Sequence, residues 1–407
     1  MQVVLNEMDE SDIDTLKNIG MEIISKCDGL PLAIKVMGGL LRQKERNHSD
    51  WGKVFHDSAW SVVGMPEELN YVVYVSYEDL PPYLKQCFLH YSLLPKNIIF
   101  GMDIIVGMWI SEGFVHGSSS DDLEESGRQY YTELILRNLI EPHKTIGQYH
   151  CIMHDVVRSF GQCVSRDEAI VAHIGETSTI SKLNSQKIFR LSIETGGSES
   201  GKLKWSMLQE QKHLRTLILI GQFKIRPYDS LISFPSLRTL HVQSAKIAAL
   251  VDYLYQLKHL RFLSIRHTDI SRLPDNIGKM KFLQLIDVRS CRDLAALPGS
   301  IVKLGHLRYL NMNKTSNDAT IPRGFGGLTN MRILYGFPAH MDGEWCSLEE
   351  LGPLCELRKL GINSLENVYD VSSATMARLC EKIHLTDLIL RCSSRTTDNG
   401  LVKEEEA

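Results

Sequence analysis

The sequence has no pair of cysteines in the spacing C-x-x-C, and its nine cysteines are scattered from Cys27 to Cys392. Structural zinc sites and dithiol redox sites usually carry such pairs, so neither is indicated. An odd number of scattered cysteines is typical of reduced thiols that pack as small hydrophobic residues. We therefore expect the protein in a reducing compartment, the cytoplasm or also the nucleus.

The sequence also lacks a long apolar run and an excess of positive charge. Its N-terminus, MQVVLNEMDESD, is acidic, and Asp103 interrupts the apolar stretch 98–110. Neither a signal peptide nor a membrane-spanning helix is predicted. The net charge of -4 provides no overall positive field for the phosphate contacts that dominate nucleic-acid binding. Neither a membrane nor a nucleic acid is expected as a partner.

The second half of the chain contains a repeat. The pattern L-x-x-L-x-L, with Ile, Val or Met also allowed, occurs in eight copies whose first residues are 23 to 28 residues apart. This spacing is typical of leucine-rich repeats, which recur every 20 to 29 residues or so. The last two apolar residues of each copy lie on one face of a short strand, and stacking buries them in a continuous core. The copies begin at Leu214, Leu237, Leu260, Leu283, Leu307, Met331, Leu357 and Leu385.

Three central copies carry a second signature after the strand, in which an aliphatic residue precedes a proline. The three pairs are Leu273-Pro274, Leu297-Pro298 and Ile321-Pro322. Proline fixes φ and removes a backbone donor, so it suits an irregular return segment and would disrupt a long helix. In the sixth copy Gly336 occupies the last apolar position and breaks the pattern.

Polar residues alternate with the inward leucines, and we expect them on the concave side of the sheet. We predict a partner-binding surface there, in which the column Arg266, Arg289 and Asn313 is the strongest candidate. The alternative is that these are solvated strand residues without a partner, because polar outward faces are common. The full set of predicted partner-binding residues is Arg266, Asp287, Arg289, Tyr309, Asn311 and Asn313.

The N-terminal part has helical periodicity. The apolar residues from Leu16 to Cys27 recur at helical spacing, and a first helix is expected to end near Asp28. Gly29 suits the residue after a helix, and Pro31 suits the first position of the next one. The pattern predicts a helical hairpin.

A series of short motifs then follows in a fixed order. Together with the repeats, these motifs resemble plant intracellular disease-resistance receptors of the nucleotide-binding, leucine-rich-repeat family, in which a GLPL motif, a winged-helix subdomain and a methionine-histidine-aspartate motif precede the repeats. The matching segments are CDGLPLA (27–33), SYEDLPPYLKQCF (76–88), YSLLP (91–95), MWISEGFV (108–115) and IMHDVV (152–157).

The resemblance implies a role for two residues. In that family the GLPL proline, here Pro31, lies against the adenine of ADP, and the motif histidine, here His154, reaches the diphosphate. An imidazole N–H can donate to phosphate oxygens, which makes this role chemically reasonable. The alternative is that Pro31 merely begins a helix and His154 merely precedes one.

The phosphate-binding loop of a nucleotide switch, G-x-x-x-x-G-K-[ST], does not occur in the sequence. We therefore expect that the chain begins downstream of the nucleotide-binding core, as a truncated or regulatory fragment or as a cut gene model. We expect no tight ADP or ATP binding by the chain alone, although the resemblance implies these nucleotides for the full-length family. We also expect no enzymatic activity.

Two other function classes, DNA binding and catalysis, have little support in the residues of the winged-helix region. A winged helix can bind DNA, but the helix after His154 offers only Arg158 before Arg166, so it has no basic reading face. Cys151 with His154 could form a nucleophile and base or half of a metal site, but no second ligand pair lies at metal spacing. Ordinary packing is the favoured interpretation of that pair.

These observations predict a multidomain α+β protein. Residues 1–69 are expected to form a helical subdomain with the GLPL motif, 70–172 a winged-helix subdomain, 173–187 a linker and 188–407 the leucine-rich-repeat solenoid. The resemblance implies that the repeats recognise a pathogen effector or a host guard protein and restrain an ADP/ATP switch. The nucleotide-binding core would then be a partner in cis or in trans.

Overall fold

A computed structural model describes residues 10–61, 71–96, 98–117, 123–173, 187–195, 208, 210–222, 231, 233–316, 319–339, 345–368 and 371–392. The chain divides into two compact units. Unit 1 comprises Met1–Glu194 and His213–Ile218, and unit 2 comprises Thr195–Lys212 and Leu219–Ala407.

Unit 1 is mainly helical. Its helices are α1 (Glu10–Ser25), α2 (Pro31–Arg42), α3 (His48–Phe55), α4 (Tyr71–Glu78), α5 (Pro82–Ser92), α6 (Met102–Glu112), α7 (Leu123–Leu136) and α8 (Asp155–Val164). Its strands include the antiparallel pair β1 (Glu141–His143) and β2 (Gly147–Ile152), and the parallel pair β3 (Ala169–His173) and β4 (Arg190–Glu194).

The predicted helical hairpin is confirmed. Helix α1 ends at Ser25, three residues before the expected end, and Asp28 and Gly29 then adopt left-handed φ values of 50° and 69°. Pro31 is the first residue of α2, where its missing N–H would have no helical partner. The buried residues of α2 are Ala33, Val36, Met37, Gly39, Leu40 and Leu41.

The winged-helix part of unit 1 has an aromatic core. Trp109 of α6 and Tyr131 of α7 are fully buried with their ring centroids 6.1 Å apart. Phe160 of α8 packs edge-on against Tyr77 of α4 at 5.5 Å. Helix α8 therefore docks through Val157, Phe160 and Gly161, which are buried, whereas Val164 at its end is exposed.

Unit 2 contains the predicted parallel sheet of the repeats. Successive strands pair parallel from β6 to β12, and in the first two of these pairs Leu263 lies beside Leu240 and Ile286 beside Leu263. Strand β5 (Thr216–Ile220) is divided between the units, since the boundary falls after Ile218. The other strands are β6 (Thr239–Gln243), β7 (Phe262–Arg266), β8 (Leu285–Asp287), β9 (Tyr309–Asn311), β10 (Ile333–Pro338), β11 (Lys359–Asn363) and β12 (Asp387–Leu390).

The return segments of the proline-containing repeats are irregular, as predicted, and each includes a short 3-10 helix. These 3-10 segments are Ile277–Lys279, Gly299–Lys303 and Phe325–Gly327. Side chains of the following repeat bond to backbone N–H groups of such segments. Ser300 accepts from Gly278 at 3.1 Å, and the two carboxylate oxygens of Glu350 accept from Gly324 and Gly326 at 2.7 Å each.

A left-handed residue recurs after successive strands. Ser244, His267, Ser290 and Lys314 have φ values of 60°, 50°, 61° and 58°. The backbone N–H of Ser244 donates to Arg266 O at 3.0 Å, and that of Ser290 donates to Asn313 O at 3.0 Å. The turn thus continues the hydrogen-bonding between repeats beyond the end of each strand, although non-glycine residues rarely adopt this conformation.

Gly336 does break the repeat pattern, and the structure gives the physical reason. A β-bulge between Tyr335 and Phe337 inserts one residue, so Phe337 takes the inward position and pairs with Ile362. Gly336 has φ of 80°, and a Cβ atom there would lie 2.8 Å from the backbone carbon of Met312. Only glycine fits this close approach, and the core continues through Phe337, which is fully buried.

Candidate functional site

Pro31 lies at the first turn of α2 and is exposed. Its ring follows Leu30, whose extended backbone leads into the helix and whose side chain is half exposed. An exposed proline ring at a helix start can cover the face of a planar ligand. Proline is also common at the first position of a helix for a simpler reason, because the backbone N–H that it lacks would have no partner within the helix there.

His154 is the N-cap of α8, and its side chain is exposed. Its Nδ1 atom accepts a hydrogen bond from the backbone N–H of Val156 at 3.3 Å. Since an accepting Nδ1 carries no hydrogen, the neutral ring holds its proton on Nε2. The imidazole can therefore donate one hydrogen bond from Nε2 to an incoming oxygen without losing the helix cap.

The chain leading to His154 is firmly held on both sides. Tyr91 Oη donates to Cys151 O at 2.7 Å, and the backbone N–H of Cys151 donates to Tyr131 Oη at 3.0 Å. After His154, Lys96 Nζ pairs with Asp155 Oδ2 at 2.5 Å. The two bonds from Tyr91 and Tyr131 hold the backbone just before His154, whose own side chain is exposed.

Neither alternative function of this region gains support from the side chains. Burial raises the pKa of the Cys151 thiol to about 11, so the sulfur is protonated at neutral pH and is a poor nucleophile. Arg158 donates to the carbonyl oxygens of Ser92 and Leu94, so it ties α8 to the end of α5. The arginine thus holds the fold together and does not form a DNA-reading face.

The predicted partner-binding residues on the strands of unit 2 are, with two exceptions, buried. Asp287 is 0% exposed, Asn311 2%, Tyr309 6% and Arg266 7%. The expectation that these four side chains point freely into solvent is wrong, because they form hydrogen bonds among themselves and their neighbours. Arg289 and Asn313 keep partial exposure.

Asp287 is the centre of a buried ionic cluster. Arg266 Nε donates to Asp287 Oδ2 at 2.7 Å, while Arg289 Nη2 reaches the same oxygen at 2.9 Å and its Nε reaches Oδ1 at 3.0 Å. Burial raises the pKa of the Asp287 carboxyl, and the charge of Arg266 opposes that rise. Two guanidinium groups face one carboxylate, so the cluster carries excess positive charge, and Arg289, with 33% of its side chain exposed, presents it.

A second set of bonds fixes the residues on β9. Asn311 Nδ2 donates to Tyr309 Oη at 3.2 Å, and Asn311 Oδ1 accepts the backbone N–H of Asn313 at 3.0 Å. Arg391 Nη1 then donates to Asn313 Oδ1 at 3.1 Å, across a separation of 78 residues. Asn313 is therefore held at the surface by contacts from both sides.

Sequence reasoning missed His241, which lies on the same sheet. His241 Nδ1 and Ser264 Oγ lie 2.9 Å apart, and register pairs the two residues directly. Burial, aided by Arg266, lowers the pKa of His241 far below its ordinary value, so the ring is neutral. The sequence pattern at 239–243 could have placed His241 on the same side of the sheet as the predicted partner-binding residues, because His241 lies between the inward residues Leu240 and Val242.

Among the described residues, no group of three or more His, Cys, Asp or Glu side chains is arranged to hold a metal ion. No helix in the described part of the chain is long and apolar enough to cross a membrane.

Two family models match the chain. A model described as a leucine-rich repeat region matches residues 213–406, and one described as the winged-helix domain of disease resistance proteins matches residues 93–160. Disease resistance RPP13-like protein 4 of Arabidopsis thaliana is 27% identical over 95% of this chain and 46% of its own length. Putative disease resistance RPP13-like protein 1 of the same plant is 33% identical over 60% of this chain and 23% of its own length.

The chain spans less than half the length of these relatives. Among solved structures, a leucine-rich-repeat protein of Leptospira interrogans, LIC12759, matches with 17% identity over 53% of this chain and 57% of that chain, at a TM-score of 0.34.

Proposed function

The chain belongs to the plant disease resistance proteins that carry a winged-helix domain and leucine-rich repeats, and we propose that it acts as the sensing part of such a receptor. In this proposal the repeats recognise a pathogen effector or a host guard protein, in the cytoplasm or also the nucleus. The observation that carries it is Arg289, a partly exposed cation that the buried Asp287 holds in place.

Arg289 and Asn313 have the properties of contact residues. A pre-oriented side chain loses little conformational entropy on binding, and arginine is enriched among the residues that dominate interface energies. The buried residues beside them would contribute to recognition only indirectly, by holding Arg289 and Asn313 in position. These buried residues are Arg266, Asp287, Tyr309 and Asn311. We therefore narrow the proposed contact surface to Arg289 and Asn313.

The test is a panel of pathogen effectors, each co-expressed in leaves with the 407-residue chain and scored by split-luciferase association. For an effector that associates, Arg289→Ala and Asn313→Ala are expected to lower the signal by roughly tenfold or more, the scale of a contact residue. Arg323→Ala, on an exposed part of a return segment, is the matched control. Equal signals for all three variants would exclude this surface.

We further propose that Pro31 and His154 form one wall of an ADP site, the rest of which a nucleotide-binding core supplies in cis or in trans. His154 fits this role because its Nε2–H is free to donate to a phosphate oxygen while Nδ1 caps α8. Pro31 offers an exposed ring of suitable size for a base. Bound ADP would supply no chemistry to this chain, and its effect would be to hold the resting state of a switch.

Calorimetry of ADP binding can distinguish a partial ADP site, as proposed, from a complete ADP site within this chain. The 407-residue chain alone is expected to bind ADP more weakly than about 100 μM, because one wall buries too little of the ligand. Addition of a separately expressed nucleotide-binding core that contains the phosphate-binding loop should create binding, and His154→Ala should weaken it by roughly tenfold, the value of one charge-assisted hydrogen bond. Micromolar binding by the chain alone would contradict the proposal.

A further inference from the structure

A row of basic residues lies along one edge of the repeat sheet, where strands β6 to β11 begin. In each of these six repeats the four residues before the strand form one segment of the row, which we call the basic edge. The six segments are 235–238, 258–261, 281–284, 305–308, 329–332 and 355–358. Together they carry seven cations and one carboxylate, whereas the whole chain has a net charge of -4. The seven cations are Arg238, Lys258, Arg261, Lys281, Arg308, Arg332 and Arg358.

The register of the strands places these segments side by side. The backbone N–H of Gln284 donates to Arg261 O, and that of Arg308 donates to Gln284 O, at 2.8 Å each. The same bond joins Arg332 to Arg308 and Arg358 to Arg332, at 2.7 Å each. Neighbouring strands are about 4.8 Å apart, so the basic edge spans about 24 Å, the length of about seven residues of extended chain.

The basic edge has an exposed rim and a less exposed inner row. Lys258 and Lys281 are exposed, whereas Arg261 and Arg308 are half-buried. Arg332 is buried and pairs with Glu356, which is the one carboxylate that the edge supplies. Six positive charges of the edge are therefore in excess, and their mutual repulsion would fall when an anion binds beside them.

One large apolar side chain of the basic edge is exposed. Phe282 is 49% exposed, and the ring of His259 stacks beside it, with centroids 6.1 Å apart and planes at 10°. Single-stranded nucleic acids are held by a succession of aromatic rings on which bases stack, and membrane surfaces by several inserted apolar side chains. A single phenyl ring provides neither, so the row of cations fits the carboxylate groups of a polypeptide better.

We propose that the basic edge docks an extended acidic segment of a partner protein, whose aspartate or glutamate side chains pair with cations of successive repeats. This inference rests on the proposed function, since the segment would belong to the effector or guard protein that the repeats recognise. Every second side chain of an extended chain lies on the same face, about 7 Å from the next. A segment of about seven residues would thus present three or four carboxylates along the edge. Such complementarity speeds association and selects the partner by its charge.

Fluorescence anisotropy tests the inference with a labelled peptide of matching length, Glu-Ser repeated four times, and the purified 407-residue chain. The chain is expected to bind it about tenfold or more tightly than the matched peptide in which glutamine replaces glutamate, because several ion pairs add to the attraction. The difference should shrink from about 0.1 to about 1 M NaCl, since the screening length falls from about 10 to about 3 Å. Equal affinities for the two peptides would overturn the inference.

Charge reversal at the exposed rim locates the site. The double variant Lys258→Glu/Lys281→Glu is expected to weaken binding of the glutamate peptide about tenfold. The matched control is Lys246→Glu/Lys303→Glu, which changes two exposed lysines elsewhere on unit 2 and alters the net charge equally. It should keep the affinity within about twofold, because distant exposed charges are screened. With circular dichroism showing both variants folded, equal losses in the two would contradict a localised site.

A nucleic acid is the competing ligand for a row of cations. Oligouridylate of eight nucleotides is therefore titrated against the chain and against Lys258→Glu/Lys281→Glu in the same way. Weaker binding than that of the glutamate peptide supports the inference. Tighter binding that the double variant loses would assign the basic edge to a nucleic acid instead of an acidic polypeptide.

Association in leaves separates this inference from the proposed function. For an effector whose split-luciferase signal depends on Arg289, Lys258→Glu/Lys281→Glu should lower the signal by roughly tenfold, as in the peptide assay. An unchanged signal would remove the docking of an acidic segment and leave recognition through Arg289 in place. A signal that depends on the two lysines and not on Arg289 would support the basic edge and reject the contact surface at Arg289.

Discussion

Arg266 donates to Asp287 at 2.7 Å, and both residues are buried within the sheet of the repeats. The alternation of the sequence places them on the side opposite to the leucines, where solvent was expected. Their contact makes this side of β7 and β8 part of the folded interior.

The first prediction concerns this pair. Arg266→Glu places a second carboxylate beside the buried Asp287 and should lower the free energy of unfolding by about 3–5 kcal/mol, the cost of breaking a buried ion pair. Urea unfolding followed by circular dichroism measures it. The variant Arg272→Glu, in an exposed pair, should change the free energy by less than about 1 kcal/mol. Equal losses in the two variants would show that the burial of Arg266 contributes nothing.

The second prediction concerns the bonds between repeats. Glu350→Ala leaves the N–H groups of Gly324 and Gly326 without their acceptor and should cost about 1–3 kcal/mol. Glu350→Gln keeps one acceptor oxygen, so about half of this loss is expected. Glu349→Ala, at the exposed neighbouring position, is the control. The melting temperatures of the three variants should fall in the order Glu349→Ala, Glu350→Gln, Glu350→Ala, with the last the lowest. A Glu350→Gln variant as unstable as Glu350→Ala would contradict the prediction.

The third prediction concerns the left-handed residues after the strands. Ser290→Gly removes the steric cost of a φ of 61° and should leave stability equal or slightly higher, whereas Ser290→Val should lose about 1–2 kcal/mol or more. Ser271→Val, at an exposed residue outside this set, should have a small effect. Denaturant midpoints report the difference. A valine variant as stable as the glycine variant would show that the turn can change conformation.

The fourth prediction is a pH dependence that arises from His90. This ring is fully buried, neither of its nitrogens bonds to a described residue, and burial together with Arg190 lowers its pKa from 6.5 to about 3. The unfolded chain therefore binds a proton more readily than the folded one, and stability falls as the pH drops below about 6.5. Each pH unit between 6 and 4 should cost about 1.4 kcal/mol through this one group.

The variant His90→Leu should reduce that slope by about one proton, although other histidines keep part of it. Urea titrations of both proteins at several pH values between 4 and 7.5 give the two slopes. Identical slopes for wild type and His90→Leu would show that His90 gains solvent access.

The repeats could be predicted from the sequence because their period is set by a local rule. Each strand buries residues two apart, so the leucines alone identify it, and the parallel register of β6 to β9 follows from stacking equal units. The pairs Leu273-Pro274 and Leu297-Pro298 indicated irregular return segments for the same reason. The helical hairpin followed from Gly29 and Pro31, whose conformational preferences act within a few residues.

The burial of Asp287 could not be predicted in this way. Alternation shows which side of the sheet a residue faces, but it does not show whether solvent reaches that side. The partner Arg266 belongs to another repeat, 21 residues earlier, and only the register brings the two together. Similarly, Gly336 was recognised as a break, whereas the bulge that restores the core through Phe337 depends on the close approach of Met312.

The side-chain acceptors Ser300 and Glu350 act in one direction, because each reaches back to backbone N–H groups of the repeat before its own. Mechanical resistance should therefore differ between the two ends of the solenoid. When the C-terminal repeat is pulled away, it takes the acceptor of the preceding segment with it, and that segment becomes the next weak point. When the N-terminal repeat is pulled away instead, each remaining repeat keeps the side-chain acceptor that the following repeat supplies. In an optical trap, the repeats should therefore separate at lower force from the C-terminal end than from the N-terminal end.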